Sequence, residues 1–258
     1  MEDNLSPASI TGNLETRFIG RRIIYYPRLA STMGVAKQEA QRGTVEGTTV
    51  ITEEQTVGRG RQKRVWLSPM GSIALSIILY PSIAHLPSLI MLASLAVVRS
   101  IEAITGLRTQ VKWPNDVLLS GKKVCGILIE SDVRGSTVDY AIIGIGMNVN
   151  LALSDFPEIT PVATSISDEL GKEVSRLGLI QRLLVEMERL YLTLLAGGSI
   201  YEEWRDNLVT LGKEVRVESK EAIYEGTAES VARDGSLLLR HSDGSLSKIV
   251  AGDVTLRD

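Results

Sequence analysis

QVKWPNDVLLSGKKVCGILIESDVRGSTVDYAIIGIGMNV, residues 110–149, is the stretch that decides the fold class of this chain. It contains four short apolar segments, QVKW, VLL, VCGILIE and VDYAIIGIGMNV. The pair Ser120-Gly121 between the second and third segments is typical of a tight hairpin turn. A run of consecutive strands with segregated helices is typical of an α+β fold, and not of a doubly wound sheet.

The segments on either side add further strands and amphipathic helices, so we predict a mixed β-sheet with helices packed on one face. Ser31 is a predicted helix cap, and Gly43 and Gly106 follow two of the expected helix ends. The predicted strands are 21–26, 48–52 and 73–79, and the predicted helices are 31–43, 86–106, 180–194 and 200–207.

The composition divides the chain into three parts. Residues 1–20 form a short polar segment, which lacks the apolar stretch of a signal peptide. Residues 21–210 are predicted to form the main domain. In residues 211–258, segments such as EVRVES, SLLLR and LSKIV alternate with Lys-Glu, Arg-Asp-Gly and Asp-Gly turns, which predicts a small SH3-like β-barrel.

Composition and charge argue against several classes of function. The net charge is −3, so the chain has no global basic field that would hold nucleic acid. A single cysteine, Cys125, and two distant histidines, His85 and His241, do not supply the usual ligands of a zinc site. The longest apolar run, LIMLASLAVV, is shorter than the ~20 residues that cross a bilayer. We therefore expect a cytoplasmic protein that binds neither membrane nor nucleic acid.

A basic loop punctuated by glycines, VGRGRQKRVWLSPMGS at residues 57–72, lies between two predicted strands. Its glycines let the backbone approach a ligand, and its arginines match carboxylate and phosphate oxygens. Its tryptophan offers a flat face for a purine ring or a cation. The residues concerned are Gly58, Arg59, Gly60, Arg61, Arg64 and Trp66. The loop predicts an anionic ligand with an aromatic part, although a charged loop taken alone is more often a solvated surface loop.

A second polar cluster lies in VKWPNDVLLSGKKVCGILIE, residues 111–130. Asn115 and Asp116 leave a strand end together, and Asp116 is a candidate ligand of Mg²⁺ at a nucleotide. Lys123 begins the next strand and carries a charge suited to a phosphate or a developing oxyanion. A plain turn would explain Asn115 and Asp116, and a solvated hairpin tip would explain Lys123. Each explanation is credible alone, but both are weaker when these features occur beside the basic loop.

A third segment, IIGIGMNVN, places glycines inside an apolar strand. Gly144 and Gly146 remove side chains, which weakens a strand unless something packs closely there. Asn148 ends the strand with both a donor and an acceptor. A β-bulge is an equally good interpretation of this segment by itself.

With these motifs the chain resembles the catalytic core of the biotin–protein ligases, or biotin–[acetyl-CoA-carboxylase] ligases. The segments GRGRQKRVWLSPMG, KWPND, KKVCGILIE and GIGMNVN occur in the family's order and with family-like spacing. The resemblance extends from about Arg21 to the end of the sequence and includes the small β module. It implies a class II synthetase-like catalytic domain.

The resemblance implies a reaction in two steps, with biotin and Mg-ATP as substrates and no tightly bound prosthetic group. The biotin carboxylate attacks the α-phosphate of ATP, giving biotinyl-5′-AMP and pyrophosphate. A lysine of a biotin carboxyl carrier protein then attacks this mixed anhydride, forming an amide and releasing AMP. Catalysis of this kind rests on positioning and charge stabilisation.

The resemblance also implies roles for individual residues. The candidate catalytic residues are Lys123, Arg61 and Asp116, and Asp116 is also the candidate Mg²⁺ ligand. The candidate biotin-binding residues are Ser31, Thr32, Gln55, Gly58, Arg59, Gly60, Arg61, Lys123, Gly126 and Gly144. The candidate ATP-binding residues are Arg64, Trp66, Asn115, Asp116, Met147 and Asn148.

Two positions depart from the family pattern. Met33 stands where an asparagine is frequent, and Met147 stands where the family often has isoleucine. Some family members also carry an N-terminal winged helix-turn-helix, and about twenty residues before the first predicted strand are too few for one. We therefore expect a ligase without DNA binding. Dimerisation through a sheet edge is common in the family, so a homodimer is possible.

Three alternative functions fit part of the sequence. A lipoate–protein ligase or octanoyl transferase resembles this fold, but its acid-binding side lacks the arginine-rich GRGRQKRVW segment. A nucleic-acid-binding module would use the basic loop and the β module, against the acidic net charge. A non-catalytic biotin sensor would leave Asp116 and Lys123 without an evident task.

Overall fold

The main sheet has seven strands in a computed structural model that describes residues 4–219 and 222–256. The strands are β1 (Ile23–Leu29), β2 (Thr49–Gln55), β3 (Ile73–Leu79), β4 (Thr109–Lys112), β5 (Asp116–Leu119), β6 (Lys122–Arg134) and β7 (Thr137–Met147). Their order across the sheet is β1-β2-β3-β7-β6-β5-β4. Only the β1–β2 pair is parallel among these described strands, which confirms the mixed sheet.

Helices cover both faces of this sheet. They are α1 (Pro7–Gly12), α2 (Thr32–Gln41), α3 (Leu89–Thr105), α4 (Ile166–Leu170), α5 (Arg176–Leu195) and α6 (Tyr201–Asp206). The long helices α3 and α5 pack on one face, as predicted. Helix α2 packs on the opposite face, against β2, β3 and β7, so the prediction of helices on one face was wrong for this helix.

The two faces of β7 belong to separate apolar clusters. Ile143, Ile145 and Met147 lie in the main core with α3 and α5, whereas Tyr140 and Ile142 pack with α2. Because side chains alternate along a strand, the glycines at 144 and 146 face the α2 side. Strand β7 therefore contributes no side chain of its own to the α2 side of the sheet at these two positions.

The hairpin predicted at Ser120-Gly121 is confirmed. Ser120 has φ 51° and Gly121 has φ 79°, and these residues connect β5 to β6. Two consecutive positive φ angles are typical of the type I′ turn that joins antiparallel strands. The turn pairs Leu119 with Lys122, and a register shift between Val117 and Leu118 then brings Asp116 opposite Gly126.

The N-terminal segment, for which no helix was predicted, is anchored to α5. Leu5, Ile10, Leu14 and Ile19 are buried in the main core. The carboxylate of Glu188, itself 5% exposed, accepts hydrogen bonds of 2.6–2.9 Å from three consecutive backbone N–H groups, those of 17–19. Burial of this carboxylate is offset by those bonds.

The C-terminal module is an antiparallel sheet of five strands in the order β11-β10-β9-β8-β12. The strands are β8 (Glu214–Glu218), β9 (Ile223–Val231), β10 (Leu237–Arg240), β11 (Leu246–Ile249) and β12 (Asp253–Leu256). In the described residues no strand pairing joins the edge strands β11 and β12. The predicted turn at Lys220-Glu221 lies outside the described residues, as do 1–3 and 257–258.

The module packs firmly onto the main domain. Val215, Val217 and Leu237 belong to the same buried cluster as α3 and α5. The indole Nε1 of the buried Trp113 donates a hydrogen bond of 2.8 Å to the carbonyl oxygen of Gly235. The chain thus has a continuous core across the predicted boundary near residue 211.

Helix α3 and the short 3₁₀ turn before it form a long apolar stretch, Ile83–Thr105. Its length of 23 residues and its composition would allow it to cross a membrane, so the apolar stretch is longer than the sequence analysis assumed. In the structure Leu92, Leu95 and Val97 are fully buried between the sheet and α5. The stretch therefore serves as the central helix of the core.

Candidate active site

A cleft opens on the α2 face of the main sheet, and it collects residues from all the sequence motifs. The predicted site residues that line it are Ser31, Thr32, Gln55, Arg59, Gly60, Arg61, Arg64, Trp66, Asn115, Asp116, Lys123, Gly126 and Gly144. These residues come from the start of α2, the end of β2, the basic loop, the start of β5, and from β6 and β7. Segments more than ninety residues apart in the sequence therefore meet at a single site.

The floor of the cleft consists of glycines on β6 and β7. A Cβ atom at Gly146 would lie 2.3 Å from Nε1 of Trp66, and one at Gly144 would lie 2.6 Å from Sδ of Met33. A Cβ atom at Gly126 would lie 3.1 Å from both Trp66 and Lys123. Any side chain on this floor would displace the residues that cover it, which explains the glycines predicted to allow a close approach.

One end of the cleft holds hydroxyl and amide groups from the start of α2. The backbone N–H of Thr32 donates to Oε1 of Gln55 at 2.9 Å, and Oγ of Ser76 donates to Oγ1 of Thr32 at 2.8 Å. Ser31 is the N-cap residue of α2, yet its side chain makes no capping bond. Its buried hydroxyl has no hydrogen-bond partner among the described residues. A buried polar group of this kind is expected to pair with a polar ligand.

The basic loop folds into a small hairpin over the cleft. Gly60 N–H donates to the carbonyl of Arg64 at 2.8 Å, and Trp66 N–H donates to the carbonyl of Gly58 at 3.0 Å. Gln62, at the tip, has φ 53°. The hairpin returns the chain so that arginines and the tryptophan share one side of the cleft.

Arg61 joins the basic loop to two other parts of the molecule. Its Nη1 donates to Oδ1 of Asn115 at 2.8 Å and to the carbonyl of Gly252 at 3.2 Å. Burial lowers the pKa of the Arg61 guanidinium, and the nearby carboxylates of Asp253 and Asp116 partly offset that effect. The guanidinium remains charged at neutral pH because arginine starts from a very high pKa.

Lys123 and Asp116 form an ion pair inside the cleft. Nζ of Lys123 lies 2.7 Å from Oδ1 of Asp116 and 5.3 Å from the centre of the Trp66 ring. The two side chains are 31% and 23% exposed, so a ligand can reach both. The sequence indicated both residues but not their pairing.

Asp253 is a residue of the cleft that sequence analysis missed. It lies at the start of β12, and its Oδ2 is 2.6 Å from Nη2 of Arg64. Its other oxygen lies 4.0 Å from Nη1 of Arg61. The C-terminal module thus supplies the counter-charge for the basic loop. The only sequence signal was the cluster of arginines itself, which needs a carboxylate or a ligand to pair with.

Three predicted residues do not line the cleft. Met147 is fully buried in the main core, on the opposite face of β7. Asn148 is 4% exposed, and its Nδ2 donates to the carbonyl of Thr164 at 3.0 Å, so its amide has a structural partner. A Cβ atom at Gly58 would lie 2.2 Å from the carbonyl oxygen of Trp66, so this glycine is required by the hairpin itself.

The cleft offers few carboxylates for a metal ion. Among the described residues no group of three His, Cys, Asp or Glu side chains is arranged to hold one. Asp116 and Asp253 are the acidic residues of the cleft, and each is paired with a cation. A divalent ion here would need oxygens from a ligand, as Mg²⁺ commonly has at nucleotide sites.

Comparison with known families and proteins gives a consistent result. Residues 25–148 match the model of the Biotin/lipoate A/B protein ligase family, and residues 210–257 match that of the Biotin protein ligase C terminal domain. The chain is 38% identical to the "Bifunctional ligase/repressor BirA" of Bacillus subtilis over 98% of this chain and 79% of that protein. It is 30% identical to the "Biotin--[acetyl-CoA-carboxylase] ligase" of Mycobacterium tuberculosis over 98% of this chain and 97% of that protein.

Solved structures show the same architecture. A biotin protein ligase from Aquifex aeolicus in complex with biotin and ATP superposes with a TM-score of 0.78. The two chains are 28% identical, and the match covers 92% of this chain and 99% of that one. The resemblance in sequence and in fold therefore includes both the main domain and the C-terminal module.

Proposed function

This chain belongs to the biotin protein ligase family, and from that premise we propose that its cleft activates biotin with ATP and transfers the biotinyl group to a carrier protein. The product of the first step is biotinyl-5′-AMP. The acceptor in the second step is a lysine of a biotin carrier domain, such as that of acetyl-CoA carboxylase.

One observation carries the proposal. The cleft places an amide and a hydroxyl that has no hydrogen-bond partner in the described part of the chain at one end, and a cluster of cations at the other. The hydroxyl of Ser31 and the side chain of Gln55 suit the polar ring of biotin. Lys123, Arg61 and Arg64 suit a carboxylate next to a chain of phosphates. The glycine floor lies between the two ends, and Trp66 and Met33 pack against it.

In the first step a biotin carboxylate oxygen attacks the α-phosphorus, and the bond from that phosphorus to the bridging oxygen of pyrophosphate breaks. Two anions must approach each other, so the charge of Lys123 stabilises both the reactants and the developing charge. Arg61 is held by Asn115 at 2.8 Å, so that it points into the cleft before any ligand binds. Because Arg61 is already oriented, the reaction requires less reorganisation of the site.

In the second step the lysine amine attacks the acyl carbon, and the bond from that carbon to the oxygen of AMP breaks. The amine loses a proton and AMP leaves. An acyl-adenylate hydrolyses when water reaches it, so a closed basic loop extends the lifetime of the intermediate. Trp66 already covers the glycine floor, and adenine stacking on its ring would complete this cover.

Mg²⁺ fits the cleft as an ion that accompanies ATP. Asp116 is the residue of this chain that would hold it, together with phosphate oxygens, and the ion would neutralise phosphate charge. The same carboxylate is paired with Lys123, whose Nζ lies 2.7 Å from Oδ1 of Asp116.

The remaining expectations follow from the same proposal. A cytoplasmic location fits the single buried cysteine and the carrier proteins on which such an enzyme acts. The net charge of −3 is poorly suited to nucleic acid. A homodimer through a sheet edge would use the edge strand β1, because Val111 of β4 already exchanges backbone hydrogen bonds with Asn207 and Val209.

The decisive experiment measures transfer of labelled biotin to a purified biotin carrier domain, with and without Mg-ATP. We expect labelling of the carrier only when ATP is present, with release of AMP and pyrophosphate. Labelled lipoate and octanoate serve as parallel substrates. Transfer of either acid in preference to biotin, or ATP-independent transfer, would replace this proposal with the alternative acyl ligase or transferase.

A further inference from the structure

Met33 occupies the boundary between the cleft and the apolar cluster under α2. Its side chain lines the cleft, and it also packs with Ala36, Ile142 and Tyr140 in the buried cluster on that face. It is 4% exposed. Its Sδ lies 2.6 Å from the position that a Cβ atom of Gly144 would take, so the thioether rests on the cleft floor. Beyond Met33 the space is filled by protein.

We propose that Met33 closes one end of the acid-binding trough, which is the part of the cleft floor between Lys123 and Met33. Met33 then sets the length of the acid that this enzyme activates. The inference rests on the proposed function, since it concerns how biotin lies in the cleft. The carboxylate end is fixed by Lys123, and the ring end is met by Met33. The distance between these two side chains then selects the acyl chain.

The strand register gives the scale of this trough. Nζ of Lys123 would lie 3.3 Å from a Cβ atom at Gly126, which is paired with Gly146 across β6 and β7. Met33 rests on Gly144, two residues further along β7. Two residues of an antiparallel strand span about 7 Å, which corresponds to a chain of only a few methylene groups. A longer chain would push the ring against the thioether.

The residue type suits a wall of this kind. Methionine is unbranched and polarizable, so it fills irregular space. Its shape differs from the asparagine that the family resemblance led us to expect at this position. The wall is therefore a property of this chain and can be moved by substitution.

The test uses acids that differ from biotin by one methylene in the chain: homobiotin, which is longer, and norbiotin, which is shorter. ATP–pyrophosphate exchange gives kcat/KM for each acid with the wild type and with Met33→Ala. We expect the wild type to prefer biotin. In Met33→Ala we expect the homobiotin-to-biotin ratio of kcat/KM to rise at least about tenfold, which is the lower end of the effect of one methylene in an apolar pocket.

Two further variants separate a wall from a merely structural residue. Met33→Leu keeps the volume and should leave the ratio near that of the wild type. Ile142→Ala removes volume from the same apolar cluster but does not line the cleft. It should lower thermal stability without changing the ratio. If Met33→Ala does not fold, Met33→Val shortens the wall by less and should raise the ratio in the same direction.

The outcomes of the test are distinct. If the wild type does not activate biotin at all, the proposed function fails. If the wild type activates biotin but every folded Met33 variant has the wild-type ratio, the wall is refuted and the function stands. Equal loss for all three acids in Met33→Ala would likewise refute the wall, because a structural defect does not discriminate by length. Only a rise in the ratio for the longer acid supports the inference.

Discussion

Replacing Lys123 by glutamine should nearly stop formation of biotinyl-AMP. The substitution keeps most of the side-chain length but removes the charge that lies 2.7 Å from Asp116. It also removes the cation that lies 5.3 Å from the Trp66 ring. The carboxylate of Asp116 is then left without a counter-charge at the place where phosphates must bind.

Two effects set the size of the change. Loss of one donor aimed at a developing negative charge costs about 10²–10³ in kcat, or about 2.7–4 kcal/mol. The ion pair is partly exposed, with side chains 31% and 23% accessible, so its loss should lower the free energy of unfolding by no more than about 1 kcal/mol. The catalytic effect should therefore far exceed the effect on stability.

ATP–pyrophosphate exchange with saturating biotin measures the first step, and thermal unfolding measures stability. Lys122→Gln is the matched control. Lys122 is the neighbouring residue, it is exposed, and its Nζ donates to the carbonyl of Thr160 at 3.1 Å, outside the cleft. This control should exchange pyrophosphate at the wild-type rate.

A double substitution separates charge balance from catalysis. Asp116→Asn in the Lys123→Gln background removes the unpaired carboxylate and should restore stability, but it should not restore exchange. Exchange at the wild-type rate in Lys123→Gln would refute the role assigned to this ammonium. An equal loss in Lys122→Gln would show that the assay reports general charge and not the cleft.

Three further predictions concern other parts of the molecule. Arg61→Ala should release biotinyl-AMP faster than the wild type in a single-turnover assay, since the basic loop loses its contacts with Asn115 and Gly252; unchanged release contradicts this. Glu188→Gln should lower the melting temperature without changing KM for ATP, because a buried carboxylate that accepts three backbone N–H groups is lost, at a cost of about 1–3 kcal/mol; an unchanged melting temperature contradicts this. Burial raises the pKa of Cys125, so the folded thiol stays protonated while the unfolded thiol ionises above about pH 8.5. Denaturant titrations should then show stability falling by up to about 1.4 kcal/mol per pH unit between about pH 8.5 and pH 10, below the range in which tyrosines ionise, and Cys125→Ala should remove this fall.

Local patterns predicted the elements whose signals are strong and contained within the element. Strand β3 has the predicted bounds, and Gly106 ends α3 with φ 74°. The helices α1 and α4 were missed because five or six residues show little helical periodicity, although the equally short α6 was predicted. Their caps were visible, since Ser6 precedes a proline and Ser165 precedes an acidic turn.

The grouping of the site residues could be expected, but their partners could not. Motifs from α2, the basic loop and β5–β7 meet in one cleft, as their chemistry suggested. The contact between Arg61 and Gly252 joins residues 191 positions apart, and no local pattern encodes such a contact. The motif gave the position of Met147 but not the face of the strand to which its side chain belongs, and that side chain lies in the main core.

Side chains alternate between the two faces of β7, so the enzyme is sensitive to whether an odd or an even number of residues is removed from that strand. Deleting a single residue before Gly144 would exchange the two faces. Isoleucines would then point into the acid-binding trough, and glycines would replace them in the core and leave voids the size of isoleucine side chains. Removing two residues would preserve the orientation of every remaining side chain. Length variation in this strand should therefore be tolerated, if at all, only in even steps, and odd steps should cost folding and ligand binding together.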